Sequence, residues 1–140
     1  MPHVVILYTA NLESETNLST LCRSLADAML GVKDEAGRQV FPTGGVRVYA
    51  YPAAHHAVAD GSGDHAFCYI HLRMARGRSA ATQQAAGQAL TDAAKAHFAP
   101  VLAQRAEDAL EERRLAPVRE VHAGEERELG HLVSAQQVER

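Results

Sequence analysis

The sequence predicts a single α+β domain, and three observations carry that reading. A hydrophobic run, Val4-Val5-Ile6-Leu7, directly follows Pro2 and has the character of a buried strand. From Ala66 to Met74 the chain alternates strictly, as a half-buried strand does. Two other stretches repeat apolar residues at helical spacing. With 140 residues the chain is long enough for one compact domain with a real core.

The elements follow in order. Residues 2–8 read as the first strand. Leu18, Leu21, Cys22, Leu25 and Met29 then mark one face of an amphipathic helix, with Gly31 near its end. Charges, glycines and Pro42 make 31–45 a loop. Val46 to Tyr51 reads as a second strand that Pro52 stops. Residues 53–64 are expected to be a loop or a short irregular helix. In the third strand, Ala66, Cys68, Ile70, Leu72 and Met74 face a core, and Phe67, Tyr69, His71 and Arg73 face away.

Ser79, after Gly77-Arg78, is a good N-cap for a long second helix. Its apolar stripe is Leu90, Ala93, Ala94, His97, Phe98, Val101 and Leu102. Pro100 lies inside that stripe and is expected to kink or end the helix. Glu107 to Arg114 reads as a charged helix, and Pro117 to His122 hints at a strand. The domain is therefore set at 1–115, followed by a C-terminal extension at 116–140 whose later part is polar.

Composition narrows the function. Net charge is −3, against nucleic acid as the default partner. Residues 1–102 carry eight Lys/Arg and eight Asp/Glu, so the excess acid lies in the tail. An anionic substrate must then be met by local cations rather than by a global field. No apolar run reaches membrane-spanning length, and no signal peptide is apparent. Cys22 and Cys68 sit in apolar patterns and read as core residues in a reducing cytoplasm. The eight histidines, including His55-His56, show no metal-ligand spacing, because neighbouring side chains on an extended chain diverge. Gly61-Ser62-Gly63 lacks the lysine context of a phosphate loop.

Pro2 is the leading candidate for chemistry. Removal of Met1 would leave a secondary amine that titrates closer to neutrality than lysine does. Burial or nearby cations would favour its neutral form further, making it a general base at pH 7. While Met1 is attached, the same nitrogen is an amide and not a base. A small second residue generally permits Met removal. Arg78 and Arg47 are the other candidates. Arg78 stands at the predicted start of a helix, where anions are favoured, and a guanidinium grips a carboxylate with two prongs. Arg47 opens the second strand after Gly44-Gly45-Val46.

Several segments in order identify a family. They are Met1-Pro2-His3-Val4-Val5, Phe41-Pro42-Thr43-Gly44-Gly45-Val46-Arg47, Ala59-Asp60-Gly61 and Asp64-His65-Ala66-Phe67. After these come Gly77-Arg78-Ser79, Gln83-Gln84-Ala85-Ala86-Gly87 and Lys95-Ala96-His97-Phe98. In this order and spacing the chain, over roughly residues 2 to 105, resembles the 5-carboxymethyl-2-hydroxymuconate isomerases of the tautomerase superfamily. The resemblance implies a tautomerase-like two-layer fold of two β-α-β-type halves, with a mixed sheet packed on two helices, assembled as a homotrimer. It implies a cofactor-free isomerisation of a dienol carboxylic acid to an unsaturated ketone in homoprotocatechuate breakdown. Pro2 would transfer the proton, Arg78 would bind a substrate carboxylate, and Arg47 would bind another or polarise the carbonyl. His3 also matches, with packing or hydrogen bonding as its expected role. Arg73 shares a strand face with His71 and could replace either arginine or lie at an interface. Arg76 stands where the family has a small residue, which points to a different substrate preference. Two alternatives stay open: tautomerisation of another 2-oxo acid, and a non-catalytic trimeric ligand-binding relative.

Overall fold

The computed structural model describes residues 1–115. A strand β1 (His3–Thr9) leads through a 3-10 turn (Ala10–Ser14) to helix α1 (Leu18–Leu30). A second 3-10 turn (Thr43–Gly45) precedes strand β2 (Arg47–Ala53), and strand β3 (Cys68–Arg73) precedes helix α2 (Ala80–Leu115). The sheet order is β2-β1-β3. Strand β1 runs parallel to β2, with α1 as the crossover, and antiparallel to β3. This is the expected mixed sheet on two helices. The strand hinted at by Pro117 to His122 lies outside the described residues, as does the rest of the extension.

Strand alternation decides which face is covered. Val4, Ile6 and Tyr8 of β1 and Cys68, Ile70 and Leu72 of β3 are buried. They meet Leu21, Leu25 and Met29 of α1 and Ala86, Leu90, Ala94, Phe98 and Val101 of α2. Burying each large side chain of this set is worth about 1.5–3 kcal/mol. The α1 stripe, the strand face and most of the α2 stripe read from the sequence lie in or against this core; His97 and Leu102 are only half-buried at its margin, and Ala86 is added. Burial pushes the Cys68 thiol up to about 12, so it behaves as a small apolar residue, as expected. The phenol of Tyr8 is likewise pushed up to about 12, mainly because it donates a 2.6 Å hydrogen bond to Glu13.

Three expectations need correction. Pro52 does not stop β2, which continues to Ala53. The amide of Arg47 turns inward, donating to the Pro2 carbonyl at 3.2 Å. Alternation then turns position 52 to the open edge of the sheet, where a missing N–H costs no ladder bond. Pro100 does not end α2, which runs through it. Pro100 is exposed, so the carbonyl it leaves unbonded one turn earlier is open to water. Glu107–Arg114 continues this helix rather than forming another. Residues 54–64 take the loop alternative, with turns such as the one in which Asp60 accepts from the Ser62 amide at 3.0 Å. The 31–45 loop is more ordered than its glycines imply. Val32 and Phe41 are fully or nearly buried, and Lys33 bridges to Gln39.

Polar contacts hold α2 in place. His97 lies 2.8 Å from the Thr16 hydroxyl, and partial burial lowers its pKa. Arg105 forms a two-pronged ion pair with Glu15 and donates to the Asp64 carbonyl at 2.6 Å. One side chain thus joins the far half of α2 to the end of the first 3-10 turn and to the approach to β3.

Candidate active site

Pro2 precedes β1 and falls on the same side as Val4 and Ile6. It is fully buried, whereas Met1 is 67% exposed. Its roof is the turn that enters β2. There the Gly45 amide donates to the Pro42 carbonyl at 2.8 Å. A Cβ on Gly45 would lie 3.0 Å from Pro42 Cγ and 3.9 Å from Pro2 Cδ, so a side chain here would crowd the turn. Gly45 thus lets the turn close down beside Pro2.

Arg47 is the next residue but one. Its backbone pairs with His3, and its guanidinium donates to the carbonyls of Gly44 at 2.8 Å and Val46 at 2.9 Å. These bonds fold the side chain back over the turn while leaving it exposed.

Arg78 arrives at the same end of the sheet from the opposite edge strand, since Arg73 at the end of β3 pairs with His3. Gly77 takes a φ of +86°, a value that only glycine adopts without strain, and this turns the chain from β3 toward α2. Ser79 caps α2 as predicted, its hydroxyl accepting from the Thr82 amide at 3.1 Å. The same hydroxyl donates to Glu35 at 2.6 Å, and this bond is the main reason the Glu35 carboxyl lies below its usual range. Gln83 donates to the Arg78 carbonyl at 3.0 Å. The guanidinium carbon of Arg78 sits 4.9 Å from the centre of the Phe41 ring, and its Nε is buried without a hydrogen-bond partner among the described residues. Stacking on an aromatic face fixes the guanidinium without using its donors.

Replacing Gly77 with alanine is expected to cost about 1–2 kcal/mol, because a left-handed φ crowds a Cβ against the backbone. Nothing lies within 4 Å of that added Cβ, so the cost is conformational rather than steric packing. Urea denaturation would show the loss. If stability stayed unchanged, the positive φ would not be required here.

A cavity of about 420 Å³ opens beside Arg78, between the Asp34–Val40 turn and Gly77–Thr82. Asp34 organises its far wall, accepting from the amides of Ala36 and Arg38 and from Arg38 Nε. These bonds, the Arg38 amide first, lower the Asp34 carboxyl. Arg38 is thereby paired, and among the described residues Arg78 is the cavity's cation without an acid partner. Neither Pro2 nor Arg47 lines this cavity.

One segment therefore connects all three predicted residues: Phe41 seats Arg78, Gly45 lies against Pro2, and Arg47 ends it. The arginines whose side chains are described also divide into two sets. Arg23, Arg38 and Arg105 pair with acids. Among the described residues, no carboxylate pairs with Arg47, Arg73, Arg76 or Arg78. An arginine left without an acid is available to an anionic ligand.

A family model described as 5-carboxymethyl-2-hydroxymuconate isomerase matches residues 2–111. The chain belongs to this family. Among its relatives, a 5-carboxymethyl-2-hydroxymuconate Delta-isomerase of Escherichia coli is 29% identical over 105 residues, which is 75% of this chain and 79% of that protein. The crystal structure of a 5-carboxymethyl-2-hydroxymuconate delta-isomerase is 55% identical, with a TM-score of 0.71 over 74% of this chain and 75% of its own. A 5-carboxymethyl-2-hydroxymuconate isomerase from Deinococcus radiodurans R1 is 34% identical, with a TM-score of 0.63 over 74% and 73%. The 5-carboxymethyl-2-hydroxymuconate isomerase family is the one its ordered segments identify, and the match extends past residue 105 into the second half of α2.

For this isomerase-family chain, sequence reasoning missed the seat of Arg78 and the position of Arg73. The Phe41–Arg47 segment was visible as a motif, but its contact with Gly77–Ser79 spans the whole sheet. The pairing of Arg73 with His3 depends on strand register, which no local signal specifies.

Proposed function

We propose that this chain isomerises 5-carboxymethyl-2-hydroxymuconate, in homoprotocatechuate breakdown, after removal of Met1 frees the Pro2 nitrogen. The observation that carries the reading is the Phe41–Arg47 segment, which meets Pro2, contains Arg47 and seats Arg78. The exposure of Met1 supports its removal.

The chemistry needs a base and stabilisation of developing oxygen charge. The Pro2 amine takes the proton of the 2-hydroxyl as the carbonyl forms and the double bonds shift. The same proton is returned to a carbon of the chain, so atoms balance and no cofactor enters. Arg78 holds one carboxylate, with its guanidinium fixed on Phe41. Arg47 holds another or steadies the carbonyl oxygen. Cations beside an amine favour its neutral form, which suits a base.

The working unit is a homotrimer in the cytoplasm, built from the 1–115 domain. An outer sheet face with exposed Leu7, Tyr49, Tyr51, Phe67 and Tyr69 supports association, since apolar surface of this extent is costly to leave in water. Both cysteines are free, in keeping with a reducing compartment.

The test is ketonisation followed by ultraviolet absorbance, with protein whose mass confirms an N-terminus at Pro2. Rapid turnover is the expected result. No turnover from processed protein would overturn the substrate assignment. Turnover of a simpler 2-oxo acid instead would favour the second reading, motivated by Arg76, which is exposed and without an acid partner beside Gly77.

A further inference from the structure

We propose that Arg73 is a third substrate-binding arginine, which holds the carboxymethyl carboxylate of the substrate. The inference rests on the reading above and extends it. Muconate carries two carboxylates, and the carboxymethyl branch adds a third. Arg47 and Arg78, the one ending the Phe41–Arg47 segment and the other seated on it, account for at most two of the three. The branch requires a further cation.

Strand register supplies it. His3 pairs with Arg47 on β2 and with Arg73 on β3. The three residues form one row across the sheet, immediately after Pro2. Residues directly opposite one another in a sheet share a face, and here it is the face away from the helices, at whose margin all three are exposed beside the apolar surface assigned above to association. Adjacent strands lie about 4.8 Å apart, so the two arginine backbones stand roughly 10 Å apart with His3 between them. Arg73 has no acid partner among the described residues. A guanidinium in that place has the two-pronged geometry a carboxylate takes, and an acid at the same position would repel one.

The experiment compares the branched substrate with 2-hydroxymuconate, which lacks the branch, in wild type, Arg73→Gln and Arg73→Lys. Arg73→Gln is expected to raise KM for the branched substrate roughly ten- to a hundredfold, the cost of losing a charge-assisted hydrogen-bonded pair. KM for 2-hydroxymuconate should change little, kcat should hold, and Arg73→Lys should recover part of the loss. Equal losses on both substrates, or no loss on either, would overturn the assignment. So would a change in assembly mass with affinity retained, which would make Arg73 a subunit contact. Calorimetric binding of propane-1,2,3-tricarboxylate keeps the inference separate from the activity. If wild type turns over neither substrate, the activity reading falls. Weaker tricarboxylate binding by Arg73→Gln would still support the third site, and equal binding would overturn it.

Discussion

Pro2→Ala, in protein freed of Met1, is expected to lower kcat by roughly a hundredfold or more, the scale of a positioned general acid–base. The physical reason is local. The proposed base is the chain's own terminal nitrogen, held by the 3.2 Å bond from the Arg47 amide to the Pro2 carbonyl and roofed by the turn at Gly45. Alanine keeps an amine but loses the ring that fixes its direction. Retention of Met1 is expected to be at least as damaging, because it turns the nitrogen into a resonance-stabilised amide. KM should change less than kcat in both cases, since the arginines are untouched. Activity of the wild type should fall as pH drops and the amine takes a proton. Steady-state kinetics on mass-verified protein, with thermal unfolding as a control for folding, decides the matter. Unchanged kcat in Pro2→Ala would show that the ring is not needed, and unchanged kcat with Met1 retained would place proton transfer elsewhere.

The largest stability effect is expected at Phe41. Its side chain is fully buried, and one face of its ring carries the Arg78 guanidinium. Phe41→Ala is expected to cost about 3–5 kcal/mol, the sum of lost transfer energy and a cavity. The variant should also bind substrate poorly, because an unseated arginine must be ordered at each binding event. Phe41→Leu separates the two effects. It keeps most of the buried volume, so its stability loss should be nearer about 1 kcal/mol. It removes the aromatic face, so the rise in KM should remain. Urea denaturation and kinetics on the same two variants check both halves. A stability loss below about 1 kcal/mol in Phe41→Ala would mean that the core can close over the gap.

The fold was legible where periodicity is local. The alternation around Cys68, Ile70 and Leu72 and the spacing of Leu21, Leu25 and Met29 each state which face is buried. Both misreadings of proline share a cause. Pro52 and Pro100 break rules that hold for interior positions: the missing N–H of Pro52 faces the open sheet edge, and the carbonyl that Pro100 leaves unbonded is open to water, which only tertiary context reveals. The candidate site was half legible. Pro2, Arg47 and Arg78 stand out by residue type and by the motifs around them. Phe41 reads only as an apolar residue in a glycine-rich loop. Arg73 and His3, 70 positions apart in the chain, become neighbours through register alone.

Arg105 has a consequence in time as well as in space. Its pairing with Glu15 closes 90 residues of chain, and its bond to the Asp64 carbonyl closes 41. Contacts of such separation form only after the intervening chain is largely in place, because loop-closure entropy must be met first. The Arg105 latch is therefore expected to form in the last steps of folding, which a folding φ-value near zero for Arg105→Ala would show. An interaction absent from the folding transition state leaves the folding rate nearly untouched and slows unfolding instead. The far half of α2 is thus held by a bond that governs how long the native molecule lasts rather than how fast it is reached.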